Sequence, residues 1–566
     1  MKKLKLLAAA LAALTGCAVF AGCQNKGPRV NTGSPDKMNI VVIAKGYGHQ
    51  YAIDLAEAYN ATNPEIEAQF AFKSPEETFV LTSFSAGLEG NNTDIYFSLN
   101  NPVFSTLARP DYGAVPAWAD LSDVYNAPAQ GYAESDGTVT YGQLMDPYFK
   151  DAMTQPDSYN AEYAGKQFVV PWSSGFWGFL YNATLWNKAN QNLTDAGKPA
   201  MELPKTSKEM FSLFDRIKSE SVIYNTVIPG SGVAKKYAFS YSGVDNYVDV
   251  AMNNWWPQYD GLDKANAFFK GQDENGAYTW KIYDTEGRLR SYEGMAELIR
   301  KTNGYVNDLD FSTAFKTTQL DFLKGRAFFS FNGDWLENEV SNEFTPGSVD
   351  VRYMRAPVIS DIVNSPKAKA LFDGLATPAL KDARLREVLD YIDECADGNA
   401  AAVKPAYLAG FDSQFNHLKD ARLVQSCALN YVAMVPWYSA KKEAAKDFLK
   451  FMLSKEGQEV FMNATYGARP PLKVDIKQFD YYEKATEMGR SKLNILNDCK
   501  PFAFNIVQYP IFFLSDAAAI MGNGSNVAAA FGCSTNKVVS AAAYFNAELA
   551  TMQMKWDGMM SNAGLK

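Results

Sequence analysis

Residues 38–97 decide the class of fold. Met38-Asn39-Ile40-Val41-Val42-Ile43 is an almost unbroken apolar run of strand length, the pattern of a buried strand. It ends at Lys45-Gly46-Tyr47-Gly48, a loop able to bend sharply. Over 50–60, Ile53, Leu55, Ala56 and Tyr59 recur at helical spacing. Ile66, Ala68, Phe70 and Phe72 then alternate with Glu65, Glu67, Gln69 and Ala71, which predicts a half-buried strand. Asp94-Ile95-Tyr96-Phe97 is a third strand candidate. Strand, helix, strand, helix, strand is an α/β signature with a parallel sheet. Ligands of such sheets sit beyond the carboxyl ends of the strands, where 46–49 and 98–101 fall.

At 566 residues the chain is too long for one hydrophobic core, so at least two lobes are expected. Thr206-Ser207-Lys208-Glu209 is a capping box ahead of Met210, Leu213, Phe214 and Ile217. The stretches 383–395, 441–453 and the last 25 residues also read as helices. The segments 111–160 and 361–425 read as surface insertions, rich in turn formers or short helices. No repeat of 20–50 residues occurs.

The N-terminus reads as an address. Met1-Lys2-Lys3-Leu4-Lys5 is basic, and an apolar run over 6–14 follows, too short to span a bilayer. Leu14-Thr15-Gly16-Cys17 and Phe20-Ala21-Gly22-Cys23 both resemble bacterial lipoboxes. Cys23 is favoured over Cys17 because polar Gln24-Asn25-Lys26 begins directly after it. An ordinary secretory signal is the blander alternative. Residues 24–37 read as a flexible tether. The chain is therefore expected to be exported and lipid-anchored, on the outer face of the cytoplasmic membrane. Of the body cysteines Cys395, Cys427, Cys499 and Cys533, none forms a CxxC pair, so a zinc site is not expected. Any of three pairings, or free buried thiols, is open.

Several functions are disfavoured. The net charge of −9 argues against nucleic acid. Only His49 and His417 occur, too few for a His relay or a multi-His metal site. There is no G-x-S-x-G elbow, H-E-x-x-H or P-loop. Asp273-Glu274-Asn275-Gly276 reads as a hairpin turn rather than a calcium loop. No catalytic residue, metal or cofactor is assigned. The aromatic supply is large, with 36 Phe, 31 Tyr and 10 Trp, enough to leave some for a ligand surface.

Motifs along the body resemble the bacterial extracellular solute-binding proteins of the maltose-binding-like group, the receptor lipoproteins of ABC importers. Val41-Val42-Ile43, with its helix and Asn63-Pro64, matches the opening βαβ unit. Thr93-Asp94-Ile95-Tyr96 matches the third strand, and Gly165-Lys166-Gln167-Phe168-Val169-Val170-Pro171 with Leu180-Tyr181-Asn182 looks like the crossover segment. Leu203-Pro204-Lys205-Thr206 with Glu209, Gly325-Arg326-Ala327-Phe328-Phe329 with Gly333-Asp334-Trp335, Val432–Pro436, and Ala468-Arg469-Pro470-Pro471 follow in order. The chain departs from the pattern at Trp172-Ser173-Ser174, has Leu180 where a second Tyr is common, and is well over a hundred residues longer than common members.

The resemblance implies an α/β, two-lobe periplasmic-binding-protein-like fold of type II, with hinge crossovers and a ligand cleft between the lobes. It implies 1–23 as signal, 24–37 as tether, 38–170 mainly lobe 1, 171–360 mainly lobe 2 with crossovers, and 361–566 as remaining lobe elements, insertions and C-terminal helices. It also implies carbohydrate capture by hinge closure and delivery to ABC importer permease subunits, by a monomer without catalysis. Neutral sugars need flat aromatic faces and fixed hydrogen-bond partners. The candidates are Tyr47, His49, Ser98, Asn100, Trp172, Trp177, Trp255, Trp256, Asp334, Trp335 and Trp437. Trp335 leads; of Trp255-Trp256 at most one is expected to touch ligand, since extended neighbours point apart. Arg469 could meet an acidic sugar, but a structural role is favoured. The other readings are a surface polysaccharide-degrading enzyme (glycosidase or lyase) and a receptor for a peptide or other non-sugar solute.

Overall fold

The computed structural model describes residues 36–566 except 44–45, 74–91, 99–117, 155–162, 229–230, 234, 246, 397, 400, 429–430, 505–509, 514–526, 533–538 and 564. Cys17, Cys23, Asn100 and Cys533 lie outside the described residues.

The opening βαβ pattern folds as its periodicity predicts. β1 (Lys37–Ile43), β2 (Glu67–Lys73) and β3 (Ile95–Ser98) are parallel, with β1 between the other two. Helix α1 (Gln50–Thr62) connects the first two and buries Leu55, Ala56 and Tyr59. β10 (Val432–Met434) pairs antiparallel with β3 and with β4 (Val170–Pro171). This completes a five-stranded sheet ordered β2-β1-β3-β10-β4. Two helices from late in the chain, α8 (Lys442–Leu453) and α9 (Lys455–Thr465), bury Phe448, Leu449, Met452 and Phe461 in the core of this lobe. Each such side chain stabilises the fold by about 1.5–3 kcal/mol.

The second lobe is built on a four-stranded sheet. Its strands are β5 (Trp177–Asn182), β6 (Tyr237–Ser240), β7 (Ala327–Gly333) and β8 (Val351–Met354), in the order β6-β7-β5-β8. β7 is buried at every position, with its polar Ser330 and Asn332 hydrogen-bonded to Ser240 O and Gln319. Helix α2 (Ala183–Asp195) leaves β5, and α3 (Ser207–Ser219) starts at the predicted capping box: Thr206 accepts from the Glu209 N–H, and Glu209 accepts from the Thr206 N–H. Helices α4 (Asp249–Asp260) and α5 (Glu286–Ile299) pack together against this sheet's core.

The described parts of the segments expected as surface insertions contribute buried side chains to both cores. Trp118, Leu121, Val124, Tyr125 and Phe149 are buried in lobe 1. In lobe 2, α6 (Pro378–Ala396) and α7 (Asp412–Leu423) bury Leu385, Leu389, Ile392 and Leu418. Their apolar residues lie at helical spacing, and an apolar stripe of that kind must be covered. The Asp273–Gly276 turn is a hairpin as expected: Asp273 Oδ1 accepts from the Asn275 and Ala277 N–H groups, and Gln272 bridges Tyr278. Cys395, Cys427 and Cys499 are free thiols. Among the described residues no group of His, Cys, Asp and Glu could hold a metal, and no helix is long and apolar enough to cross a membrane.

The C-terminal helix α11 (Ala541–Asn562) is stapled to lobe 2 by a fully buried ion pair between Arg288 and Glu548. The Arg288 guanidinium lies about 5.0 Å from the ring centres of Trp256 and Phe268 and 5.1 Å from that of Tyr283. Tyr292 donates a second hydrogen bond to Glu548 at 3.0 Å.

His417 on α7 is buried, and burial pulls its pKa down to about 4, with Lys367 adding to the effect. The fold therefore holds the neutral ring. The associated stability is present above the unfolded value near 6.5 and is lost as pH falls toward 4, on the order of 2–3 kcal/mol. Chemical denaturation at pH 7.5 and pH 5 should show His417→Gln losing much less stability on acidification than the unchanged protein. Equal losses would show that His417 does not titrate in this way.

Among the described residues, three crossings join the lobes. The chain leaves β4 at Pro171 and enters β5 at Trp177. It returns from β9 (Val424–Ala428), which pairs in parallel with β11 (Lys500–Phe504), to β10. The third passes through Arg469 to α10 (Glu487–Asp498), where Ser491 accepts from the Tyr353 N–H of β8 at 2.9 Å. The crossings are bonded to each other: Trp172 N–H to Tyr431 O at 3.0 Å, Ala428 N–H to Gly175 O at 2.8 Å, and Ser174 N–H to Arg469 O at 2.7 Å.

Candidate interlobe ligand site

The site grows from the carboxyl ends of β1 and β7 and from the first two crossings. After β1, the chain turns with Gly46 and Gly48 at positive φ, 67° and 72°. That turn sends Tyr47 across to lobe 2, where its hydroxyl donates to Asp334 and lies 3.0 Å from Ser173 Oγ. After β7, Gly333 lies flat beneath the Trp335 indole, and a Cβ there would come within 2.1 Å of the ring. The Gly-Asp-Trp order is thus a steric requirement: no larger residue leaves space for the indole at this spot.

The aromatic rings converge from both lobes and the hinge. Trp335 lies 4.9 Å from Trp177 and 6.1 Å from Tyr47, in both cases edge to face. Tyr431 of the second crossing lies 5.3 Å from Tyr47 and 6.0 Å from Trp335. Tyr247 stands 5.2 Å from Trp177, and the Trp335 indole N–H points at its hydroxyl at 3.4 Å. Asn338 Nδ2, just beyond Trp335, reaches Tyr47 O and Ala464 O of lobe 1, both at 3.4 Å. The lobes therefore meet here in a closed arrangement. Tyr47 and Trp335 are 1% and 5% exposed, so a solute reaches them only when the lobes part.

The polar floor is a buried charged pair. Asp334 Oδ2 lies 3.5 Å from Lys492 Nζ on α10, and Lys492 also donates to Tyr466 O at 3.1 Å. Burial raises the Asp334 carboxyl pKa, with Lys492 and Tyr47 opposing. Burial lowers that of Lys492, with Asp334 opposing. Neighbouring Glu337 is likewise raised by burial and accepts from Thr486 Oγ1 at 2.9 Å. Asp334 can accept from solute hydroxyls where Tyr47 now donates.

Of the residues expected at the site, Tyr47, Trp177, Asp334 and Trp335 come together here. Trp172 lies behind them in the lobe 1 core, stacked on Tyr51 at 5.1 Å, with its indole N–H on Ser98 O at 3.2 Å. Ser98 is buried with it. His49 is exposed at the start of α1 and stacks on Phe70 at 5.9 Å. Trp255 and Trp256 are not extended neighbours. They sit on α4 inside the lobe 2 core, with indole N–H groups on Pro357 O and Asp260, both at 2.9 Å. Trp437 is half-buried beside Tyr438 on lobe 1, at 6.1 Å. Ser173, Tyr247, Asn338, Tyr431 and Lys492 were not singled out from the sequence. Ser173 carried a signal, because it is two positions beyond Pro171 in the crossover.

No family model matches the chain, and no curated protein sequence matches it. Solved structures match over nearly its whole length. A maltose-bound MalE3 from T. maritima aligns over 92% of this chain and 99% of its own, with 13% identity and a TM-score of 0.53. A maltotriose-bound maltose/maltodextrin-binding domain from Bdellovibrio bacteriovorus covers the same shares, at 14% identity and a TM-score of 0.51. A probable secreted solute-binding lipoprotein from Streptomyces coelicolor aligns over 92% of this chain and 98% of its own, at 12% identity and 0.54. The fold of this chain is thus that of the two-lobe, maltose-binding type of solute-binding protein.

Proposed function

We propose that the chain is an exported, lipid-anchored receptor that closes its two lobes on a carbohydrate and presents it to the permease of an ABC importer. The convergence of Trp335, Trp177, Tyr47, Tyr247 and Tyr431 from both lobes and the hinge, over Asp334 and Ser173, carries this reading. Aromatic faces cover the C–H surfaces of a sugar, and a carboxylate and a hydroxyl fix its hydroxyl groups. An oligosaccharide fits better than an amino acid, because the aromatic rings outnumber the charges and Asp334 and Lys492 already face each other. Lobe opening exposes the rings, and closure on the ligand restores the contact between lobes. Cys23 carries the lipid in this reading, and the protein acts as a monomer without turnover.

The test is a thermal-shift screen of residues 24–566 against oligosaccharides, monosaccharides, amino acids and peptides, with each positive sample checked for breakdown. A sugar at a hundred times its Kd should stabilise the protein by about 2.7 kcal/mol. Trp335→Ala should weaken that sugar roughly a hundredfold, as expected for a central buried aromatic, and should also lower the melting temperature of the free protein, since the indole is packed between the lobes. Shifts confined to peptides or amino acids would remove the sugar, and sugar cleavage would remove the receptor.

A further inference from the structure

A cavity of about 570 Å³ lies at the hinge and shares no residue with the aromatic contact between the lobes. Ser173 and Ser174 are consecutive on the first crossing. The first meets Tyr47, whereas the second lines this cavity. Cys427 at the end of the second crossing and Arg469 on the third line it too, so all three crossings border one space.

One of its polar groups lacks a protein partner and a second lacks a counter-charge. Ser174 is 3% exposed, and its buried hydroxyl has no hydrogen-bond partner. Arg469 is 6% exposed and has no carboxylate within ion-pair distance among the described residues. It donates to Leu472 O at 2.8 Å and Val474 O at 3.5 Å, two of its five N–H groups. Glu134, which acts on Arg469 from a distance, is itself bound to Gln478 and to the Asp475 N–H. Lys473 pairs with Asp146 at 2.9 Å, Asp498 with Arg355 at 2.7 Å and Lys500 with Asp420 at 3.8 Å, while Asp475 and Lys477 at the rim make no ion pair among the described residues. A buried guanidinium without a counter-charge is costly, and its planar fork suits a carboxylate. Phe149, Pro470, Pro471 and Pro501 supply apolar wall, which favours an organic molecule over a bare inorganic ion.

We propose that this cavity is a second ligand site, which binds a small hydroxylated carboxylic acid with its carboxylate on Arg469 and a hydroxyl on Ser174. Because the ligand touches all three crossings, its occupancy biases the hinge angle. That last step rests on the receptor reading above; the binding itself does not.

Cys499 also lines the cavity, and burial pushes its thiol pKa up to about 12, so it reacts slowly through a small thiolate fraction, whereas Cys395 is exposed elsewhere. The test measures modification of each thiol by a small methanethiosulfonate, mapped by peptide mass spectrometry, with D-glucuronate as the probe. Millimolar D-glucuronate should slow modification of Cys499 at least about tenfold and leave Cys395 unchanged, and glucose should protect neither. Ser174→Val should weaken the protection about tenfold, roughly the worth of one hydrogen bond. Trp335→Ala should leave it intact. No protection by D-glucuronate would overturn the proposal. Equal protection by inorganic phosphate would overturn the carboxylic acid. Protection lost in Trp335→Ala but kept in Ser174→Val would place the acid between the lobes instead.

Discussion

Replacing Glu548 by Ala should cost about 3–5 kcal/mol, because it leaves the Arg288 guanidinium charged and enclosed without its counter-ion. The surrounding rings of Trp256, Phe268 and Tyr283 offer only cation–π attraction in exchange. The loss should appear as a lower denaturant midpoint for the lobe 2 transition, followed by the fluorescence of Trp255 and Trp256. Charge isolation, rather than lost packing, is the proposed cause. Arg288→Met combined with Glu548→Leu should therefore recover most of the stability, since apolar side chains of similar volume replace a buried pair at little cost. A double variant as unstable as the single one would move the explanation to packing.

Gly175→Ala should be the most damaging single-methyl change in the hinge. Gly175 has φ of +56°, and an added Cβ would lie 2.5 Å from Ala428 O and 2.6 Å from the Tyr431 ring. The φ term costs about 1 kcal/mol, and the overpacking adds roughly 1–3 kcal/mol. Ala428 N–H donates to Gly175 O, so relief by backbone movement breaks a bond between two crossings. Tyr431, pushed aside, loses its contacts with Tyr47 and Trp335. The variant should therefore melt lower and bind solute more weakly. Gly48→Ala is the control: φ is +72° with nothing within 4 Å of the added Cβ, so only the backbone cost of about 1 kcal/mol applies. Equal melting of the two variants would show that the hinge absorbs the clash.

The parts of the fold written in local periodicity were legible. The alternation of Ala68 and Phe70 with polar neighbours and the capping box at Thr206 each depend on residues a few positions apart. Of the residues gathered between the lobes, Tyr47 was legible from the end of its strand, and Trp177, Asp334 and Trp335 only through the resemblance. Tryptophan content was a poor guide to the rest. A helix such as α4 buries Trp255 and Trp256 completely, and sequence gives no sign of which face the sheet will cover. Lys492 shows the converse failure. It looks like one more lysine of an amphipathic helix, and only the packing of α10 on β8 carries it to Asp334. The late helices α6 and α7 looked peripheral because their apolar stripes fit a core whose other walls lie far away in sequence.

The order of the first sheet has a consequence for biosynthesis. β3 pairs with β10, and the Tyr96 hydroxyl meets the Tyr438 hydroxyl at 3.0 Å from 342 positions away. A ribosome that has finished β1, β2 and β3 has made three strands of a five-stranded sheet and left its growing edge bare. That edge waits for most of the second lobe to be made before its partner exists. Open strand edges of this kind template aggregation, and such distant pairings close slowly. The nascent chain should accordingly lean on holding chaperones during synthesis, and a message cut between the two lobes should give insoluble protein rather than a folded half.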